Sequence, residues 1–441
     1  MFRFDMCVIG GCGRVGLPLS IAFADKGLNV VVFDSDKDRM DKVRAGIMPF
    51  LEEGCEAKLK CVINKTLTTT DRPHSISESR FVIVTIGTPI DNHLNPDFSA
   101  MLTFFKDLLP YLTYGQHIIL RSTVYPGTTE KVDKFLKESG ARIHLAFCPE
   151  RIVEGKALSE LTALPQIVSA FDEECVRAVS ALFRVLTQDI VVVKPMEAEL
   201  AKLFSNAWRY IQFSIANQLF LLANDHGLDY SSIHHAITHK YPRAQGMPKP
   251  GFAAGPCLGK DTMQLAAFSG NRFFLGHAAM LVNEGLPNYI VQKMKASTDL
   301  ANQSVGILGM AFKANSDDER DSLSFKLKAL LEFEAKKVYC SDPYVKRDCF
   351  VDPIELINMC DVIVLATPHD DYRNLHITED KMLIDVWNLY GRGVICPPRS
   401  HPSTHSDCEI IDYSHMADMV DSVLRTRSYL IGDESKVPVS E

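Results

Sequence analysis

The hydrophobic positions of the first 195 residues fall in short runs that alternate with amphipathic stretches. From residue 4, "FDMCVIGGCGRVGLPLSIAFADKGLNVVVFDSD" combines a buried strand, a glycine turn, a helix and a second strand that ends in an acid, which is one βαβ unit. Further buried strands are predicted in "FVIVTIGTP" (81–89), "HIILRSTV" (117–124) and "RIHLAFCPE" (142–150). The pattern predicts a doubly wound parallel sheet within a first domain, residues 1–195.

The same order of elements starts again near residue 304. "SVGILGMAFK" reads as a strand and turn, "SLSFKLKALLEFEA" as a helix, and "KVYCSDPY" as a strand that ends in Asp342. "DVIVLATPHDDY" and "KMLIDVWN" then parallel two strands of the first half. This approximate duplication predicts a second Rossmann-like domain over 301–426, and the polar tail 427–441 is expected to fray.

Between the two halves, residues 197–227 have helical periodicity and are apolar on more than one side. We expect this helix to be buried along its length, to connect the domains and to carry a subunit interface within a central helical domain, 196–300. The predicted fold class is α/β, with two Rossmann-like doubly wound domains joined by a long central helix and a small helical dimerisation domain.

Composition excludes several classes of protein. The chain has 441 residues, 46% of them hydrophobic, and a net charge of -8 without any basic run, which argues against nucleic-acid binding. The start of the chain lacks the layout of a signal peptide, and no apolar run approaches the roughly 20 residues of a membrane span, so we expect a cytoplasmic protein without a membrane partner. The 12 cysteines form no C-x-x-C pair, so neither zinc nor any other metal nor a disulfide framework is indicated.

A dinucleotide site is predicted at the first glycine turn. Gly11, Gly13 and Gly16 form G-x-G-x-x-G between a strand and a helix, and Asp34 ends the next strand. The glycines let a pyrophosphate approach the helix N-terminus, while the carboxylate accepts both ribose hydroxyls. Asp34 and Asp36 would repel a 2′-phosphate, which favours NAD over NADP. The alternative is that the glycines only make a tight turn.

A nucleophile is predicted in "GFAAGPCLGKD" (251–261). Oxidation of an aldehyde to an acid requires a tetrahedral intermediate, and the thiolate of Cys257 supplies one by adding to the carbonyl carbon. The small residue Gly255 lets the backbone approach a ligand, Lys260 favours thiolate, and Asp261 is placed to orient a water. The alternative, a buried inert thiol, is the default for an arbitrary cysteine.

A cation and an amide are predicted to share one face of the central helix. Lys202 and Asn206 lie at i and i+4, so both can converge on one substrate oxygen. A surface lysine with a polar neighbour is the competing interpretation, and Cys257 supplies the chemical reason for a nearby cation.

These motifs, together with "STVYPGTT", "CPERIVEGKAL", "GMAFKANSDDERDS" and "SDPYV", resemble the UDP-glucose/GDP-mannose dehydrogenase family over nearly the whole chain. The resemblance implies an enzyme that uses two NAD to carry the C6 alcohol of a UDP-sugar to a uronic acid for surface polysaccharide. It implies as catalytic residues Cys257, Lys202, Asn206, Asp261, Glu150 and Thr123. It implies as cofactor-binding residues Gly11, Gly13, Arg14, Val15, Gly16, Asp34, Thr88, Thr123 and Arg320. It implies as substrate-binding residues Glu150, Arg151, Lys202, Asn206, Arg243, Gly255 and Lys313.

Within the family, "PERIVEG" and "KYPRAQGMPKPG" are similar to the branch that acts on UDP-N-acetylhexosamines, which makes UDP-N-acetyl-D-mannosamine the expected substrate. Arg243 resembles an arginine that reaches the substrate of the other subunit in a homodimer. Ala253 and Ala254 depart from the family's glycines and put the loop conformation in doubt. Three alternatives remain open: a UDP-glucose enzyme, a simpler two-electron dehydrogenase, and a non-catalytic NAD-binding protein.

Overall fold

The structure, a computed structural model, describes residues 2–87 and 98–395. Each half of the described chain is built on a sheet whose central strands are short, buried and mostly apolar, as strands covered on both faces must be. The strands are β1 (Phe4–Ile9), β2 (Val30–Phe33), β3 (Leu67–Thr70), β4 (Ser79–Val84), β5 (His117–Leu120), β6 (His144–Phe147), β7 (Gln166–Ala170), β8 (Ile190–Val192), β9 (Ser304–Leu308), β10 (Lys337–Ser341), β11 (Val362–Leu365) and β12 (Met382–Ile384).

Helices cover both sheets and form the region between them. They are α1 (Gly16–Asp25), α2 (Lys37–Arg44), α3 (Cys55–Val62), α4 (His74–Ser77), α5 (Phe98–Leu108), α6 (Thr128–Glu138), α7 (Ala157–Ala163), α8 (Glu173–Phe183), α9 (Pro195–Asp225), α10 (Tyr230–Thr238), α11 (Leu258–Phe268), α12 (Phe274–Ser297), α13 (Leu323–Glu334) and α14 (Pro353–Met359). No helix in the described ranges is long and apolar enough to cross a bilayer.

The first sheet has the strand order β3-β2-β1-β4-β5-β6-β7-β8. Its pairs are parallel except for β6 with β7, which run antiparallel. The strand order runs outward on one side from β1 and on the other from β4, so the carboxyl ends of these two parallel strands flank the position where α/β sheets bind ligands. The predicted strands of the first half are confirmed.

The second sheet has four parallel strands in the order β10-β9-β11-β12. The order of its first three strands repeats β2-β1-β4 of the first sheet, so the predicted duplication is confirmed at the level of topology. The α/β fold class with two Rossmann-like sheets and a long central helix is therefore correct. The domain boundaries stay predictions, and residues 396–441, including the predicted tail, lie outside the described residues.

The central helix α9 runs from the first sheet toward the second. Near its start, Glu199 accepts hydrogen bonds from the amides of Gly127 at 2.6 Å and Thr129 at 2.8 Å, which fixes it to the first half. Near its end, Phe220 and Ala223 share a buried apolar cluster with strand β9. The expectation that α9 is buried along its length is wrong for the single chain, because one apolar face stays exposed at Phe204, Trp208, Ile215, Leu219 and Leu222.

Candidate active site

The first glycine turn leaves no room for side chains. A Cβ on Gly11 would lie 2.7 Å from the carbonyl oxygen of Val8, and a Cβ on Gly16 would lie 2.6 Å from the Cα of Gly11. Thr85, directly after β4, stabilises the turn by donating its hydroxyl to the Ile9 carbonyl at 2.8 Å. The backbone is thereby packed closely enough for a dinucleotide to approach the start of α1.

The start of α1 has free donors. Val15 is the N-cap residue and provides no side-chain cap. Within the described chain, the amides of Arg14 and Val15 donate no backbone hydrogen bond. Uncapped amides at a helix N-terminus attract phosphate through hydrogen bonding and the helix dipole. Asp34 lies beside the turn at the end of β2, where its Oδ2 accepts the Cys12 amide at 2.8 Å. The residues present therefore fit a dinucleotide such as NAD.

In the second half, the equivalent turn is held by hydrogen bonds within the protein. Asp342 occupies the position of Asp34, but its Oδ2 accepts the amides of Met310 at 2.6 Å and Ala311 at 2.9 Å. Its Oδ1 accepts two more amides, and His369 Nε2 lies 3.2 Å from Oδ2. Burial opposes ionisation, but the hydrogen bond and charge of His369 and these amides hold the pKa of Asp342 below its usual range. These hydrogen bonds occupy both oxygens of Asp342, so it is not available to a ribose. The dinucleotide site is therefore in the first half.

The loop before Cys257 depends on one glycine. Gly255 has φ +101°, and a Cβ there would lie 2.5 Å from the Phe312 ring of the second half. Its amide also donates to the Asp321 carbonyl at 3.2 Å, which holds the loop against that half. Ala253 and Ala254 do not adopt positive φ. The two alanines therefore do not strain the loop, because a glycine adopts its left-handed conformation.

Cys257 is the N-cap residue of α11, and its side chain is exposed. Crowding by surrounding protein atoms and the carboxylate of Asp261 raise the pKa of its thiol, while Lys202 and Lys260 lower it. The net effect is a raised pKa. Lys260 lowers the pKa as expected but does not outweigh the opposing effects. The resting group is a thiol that two nearby cations can help to ionise.

Lys202, Asn206 and Asp261 meet where α9 packs on α11. Asn206 Nδ2 donates to Asp261 Oδ2 at 2.6 Å, and both side chains are buried. Asp261 Oδ1 has no hydrogen-bond partner among the described residues and lies 3.6 Å from Lys260 Nζ. Burial lowers the pKa of Lys202, although the carboxylates of Asp261 and Glu150 and the thiol of Cys257 oppose that change. The predicted cation, amide, acid and thiol therefore lie within electrostatic reach of one another.

Glu150 is held by a buried arginine that the sequence did not indicate. Its Oε2 accepts Arg121 Nε at 3.0 Å and Nη2 at 2.6 Å. Its Oε1 accepts the amides of Arg151 at 2.7 Å and Ile152 at 3.1 Å. Arg121 is fully buried at the end of β5, in the same segment that continues to Thr123. These four donors fix Glu150 beside the carboxyl ends of β5 and β6.

A second cluster of charges joins the glycine turn to the second half. Arg14 lies 2.8 Å from Asp317 Oδ1, and Arg320 Nε donates to Asp318 at 2.9 Å. Both arginines also lie near Glu154, at 3.9 Å and 3.3 Å. Burial and the Asp318 carboxylate raise the pKa of Glu154 to about 7 against the opposing charges of the arginines. The structure thus brings Arg14 and Arg320, both predicted to bind the cofactor, into one cluster of charges.

Lys313 joins this cluster from the second half, because its Nζ donates to the Glu154 carbonyl. Glu154, like Arg121, is a site residue that sequence reasoning missed, although it lies inside "PERIVEG". Apart from Arg14, its partners come from residues 313 to 320, so in the sequence it is only one more acid in a motif.

Two predicted residues, Arg151 and Arg243, form their side-chain hydrogen bonds outside this assembly. Arg151 donates to the Pro165 carbonyl. Arg243 is exposed and donates to Tyr241 Oη at 3.0 Å, within the same short turn. Thr88 lies outside the described residues. Within the described ranges, no group of three or more His, Cys, Asp or Glu side chains is arranged to hold a metal ion.

The fold and this site define an NAD-dependent dehydrogenase with a second nucleotide-binding-like domain. The chain matches the NAD binding domain of the UDP-glucose/GDP-mannose dehydrogenase family over residues 4–187, the central domain over 196–284 and the UDP binding domain over 306–392. It belongs to that family and is an NAD-dependent nucleotide-sugar dehydrogenase.

Relatives with established names agree with this class. The chain is 29% identical over 409 residues to the UDP-N-acetyl-D-mannosamine dehydrogenase of Pyrococcus horikoshii, covering 88% of this chain and 95% of the relative. The solved structure of the UDP-D-ManNAc dehydrogenase from that organism has a TM-score of 0.78 at 28% identity, covering 84% of this chain and 91% of the other. A UDP-glucose dehydrogenase from Pyrobaculum islandicum also reaches 0.78, at 26% identity and with coverage of 86% and 93%. Backbone similarity alone therefore does not distinguish the sugars.

Proposed function

We propose that the protein oxidises UDP-N-acetyl-D-mannosamine at C6 to the uronic acid, in two successive two-electron steps at one site. The observation that carries this proposal is the exposed thiol of Cys257 beside the Lys202, Asn206 and Asp261 cluster. A two-electron alcohol dehydrogenase has no use for a thiol, whereas a four-electron enzyme needs one. The uronic acid product would serve surface polysaccharide synthesis.

The cofactor is held at the first glycine turn in this proposal. Gly11, Gly13 and Gly16 give the pyrophosphate access to the amides of Arg14 and Val15, and Asp34 accepts the ribose hydroxyls. Arg320 supplies positive charge from the second half. Thr123, which follows β5, and Thr88, which lies outside the described residues, complete the predicted cofactor contacts.

The first oxidation relies on Lys202 and Asn206. NAD, when bound, accepts hydride from C6 in each of the two oxidations. Lys202, whose pKa is lowered mainly by burial, and the amide of Asn206 stabilise the oxygen of C6 as its proton is lost. The C–H bond breaks with its electron pair, the O–H proton leaves to solvent, and an aldehyde remains in the site.

The second oxidation relies on Cys257. Its sulfur adds to the aldehyde carbon and gives a thiohemiacetal, whose C–H bond then breaks to leave a thioester. Because the pKa of Cys257 is raised and that of Lys202 is lowered, the proton rests on the sulfur of the free protein, and it passes to the aldehyde oxygen as the sulfur adds to the carbon. Water then attacks the thioester, Asp261 and Glu150 position that water, and the carboxylic acid leaves as the thiol reforms.

The remaining substrate contacts come from both halves of the chain. Gly255, two residues before Cys257, packs against Phe312 of the second half, and Lys313 and the segment of Glu150 and Arg151 supply the other predicted contacts. The preference for an N-acetylated sugar rests on the "PERIVEG" segment and on the names of similar proteins from Pyrococcus horikoshii and Yersinia pestis. UDP-glucose is the second candidate, because a UDP-glucose dehydrogenase shares the fold equally well.

Substrate preference is the experiment that tests this proposal. We expect kcat/KM to be higher for UDP-N-acetyl-D-mannosamine than for UDP-glucose by about a hundredfold, because a site built to hydrogen-bond an acetamido group leaves polar groups unpaired without it. NADH formation followed with both sugars, and with UDP-N-acetylglucosamine as the epimer control, measures the ratio. Equal or better turnover of UDP-glucose would reject the N-acetylated sugar, and an absence of NADH formation with every sugar would favour a non-catalytic NAD-binding protein.

We also propose a homodimer built on the exposed apolar face of α9. Phe204, Trp208, Ile215 and Leu219 recur at helical spacing, and Trp208 is 61% exposed. A continuous apolar stripe of this length is typical of a helix that packs on a partner. Arg243 lies on an exposed turn away from its own chain's thiol cluster, which fits a contact with the substrate of the second subunit.

The dimer is tested by placing a charge on the stripe. Trp208→Asp should shift the protein from dimer to monomer in sedimentation equilibrium, because a buried unpaired carboxylate destabilises an apolar interface. Lys134→Asp, which changes an exposed residue of α6, is the control and should leave the mass unchanged. A wild type that sediments as a monomer would contradict the proposal.

A further inference from the structure

The side chain of Arg14 connects the first glycine turn to the second half of the chain. Its Nη1 lies 2.8 Å from Asp317 Oδ1, and its Nε lies 3.5 Å from Asp318 Oδ2. The side chains of Arg14 and Asp317 are only 18% and 21% exposed. Water and salt screen a partly buried ion pair less than one on the surface, so this contact contributes to the arrangement of the two halves.

Asp317 is held by two separate segments of the first half. Its Oδ1 faces Arg14, and its Oδ2 accepts the amide of Leu51 at 3.0 Å. Leu51 lies between α2 and α3, next to Phe50, whose ring centroid is 5.0 Å from the Arg14 guanidinium. The glycine turn and this segment therefore converge on one carboxylate of the second half.

The backbone of Arg14 belongs to the cofactor site. Its amide and that of Val15 lie at the uncapped start of α1, where a pyrophosphate is expected to bind. Asp317, in contrast, lies in the stretch that matches the UDP binding domain, residues 306–392. A single residue thus contributes its backbone to the cofactor site and its side chain to a contact with the half that binds UDP.

We propose that Arg14 and Asp317 are positioning residues that hold the two halves together and make NADH and UDP bind cooperatively. The backbone of Arg14 is restricted when a pyrophosphate binds to it, so less conformational entropy is lost when its side chain holds Asp317. The second half is then in place before UDP binds. By linkage, each ligand raises the affinity of the other by the same factor. The same contact aligns a substrate in the second half with the cofactor in the first.

The test is the Kd of UDP, measured by isothermal titration calorimetry without and with saturating NADH. In the wild type, NADH should lower this Kd by about fivefold or more. In Arg14→Ala and in Asp317→Asn, it should lower the Kd by less than about twofold. The double variant should show the same ratio as either single variant, because both substitutions break one contact. Arg14→Lys should keep part of the effect, since an ammonium lacks the separate nitrogens that lie near Asp317 and Asp318.

Arg347→Ala is the matched control. Arg347 Nη2 lies 2.7 Å from Glu319 Oε1, and its guanidinium lies 4.6 Å from the centroid of the Phe325 ring. It therefore makes the same two kinds of contact as Arg14, with an acid only two positions from Asp317. All of these partners lie in the second half, so the effect of NADH on UDP should stay at its wild-type value.

The inference is rejected if NADH does not change the affinity of the wild type for UDP, or if Arg14→Ala and Asp317→Asn keep the wild-type ratio. An equal loss in Arg347→Ala would also reject it. If Arg14→Ala does not fold, Asp317→Asn decides alone, because an asparagine oxygen still accepts the Leu51 amide while the charge is lost. UDP carries no sugar, so a cooperative protein that fails to oxidise UDP-N-acetyl-D-mannosamine would reject only the proposed substrate.

Discussion

Replacing Cys257 with alanine should reduce uronate formation by at least about a thousandfold, while the sugar nucleotide still binds. The side chain is exposed at the N-cap of α11, so its loss removes the nucleophile without opening a cavity in a core. Lys202, Asn206 and the glycine turn keep their places. The wild type should release two NADH for each acid, and no free aldehyde should accumulate.

The decisive measurement is the rate and stoichiometry of NADH release at saturating substrate, with product identified by mass spectrometry. Cys257→Ser should be almost as inactive, because a hydroxyl is far less ionised than a thiol with an ordinary pKa of about 8.5. Cys61→Ala, which removes an exposed cysteine of α3, is the control and should keep full activity. A Cys257→Ala variant with wild-type turnover, or a wild type that stops at one NADH and a carbonyl product, would make the protein a simple alcohol dehydrogenase.

The strands that the sequence predicted well are those whose apolar runs are long and lie next to a turn signal. β1, β4 and β9 have four or five consecutive buried positions, and each is followed by glycine or polar residues. Strands β3, β7 and β8 were not predicted. β8 spans three residues, two of them exposed, so it has neither the length nor the burial that the pattern detects.

Contacts between distant segments were beyond the reach of the sequence. The pair of Arg121 and Glu150 joins residues 29 positions apart at the ends of adjacent strands, and only the register of β5 with β6 places them together. Glu154 meets Arg320 across 166 positions. Neither pair follows from local spacing, because both depend on how whole elements pack.

The local chemistry of the candidate site was predictable because it depends on residues that are close together in the sequence. Lys202 and Asn206 share a helix face, Cys257 and Asp261 are separated by one helical turn, and a G-x-G-x-x-G turn between strand and helix has few conformations open to it. The spacing of residues along the sequence did not reveal how opposing charges combine to set the pKa of Cys257. The pKa of Cys257 is raised because crowding by surrounding protein atoms and the Asp261 carboxylate outweigh the effect of two lysines, and that balance requires the folded site.

This balance of charges predicts that one variant, Asp261→Asn, turns over more slowly but is alkylated faster at Cys257. Asp261→Asn should lower kcat by about 10²–10⁴-fold, because the amide cannot take a proton from the water that hydrolyses the thioester. The same substitution should accelerate alkylation of Cys257 by iodoacetamide near neutral pH. Asp261 raises the pKa of this thiol, so removing the carboxylate lowers that pKa and increases the fraction of thiolate.

The alkylation rate measured against pH gives the pKa of Cys257 directly, as the midpoint of the curve. Lys202→Met is the matched comparison: Lys202 lowers the pKa of the thiol, so its loss should move the midpoint up, whereas Asp261→Asn moves it down. The asparagine preserves the shape of the side chain and still accepts from Asn206, so a fold defect would not account for faster labelling. If Asp261→Asn slows both turnover and alkylation, Asp261 does not act on the thiol through its charge, and its role is to hold α9 against α11.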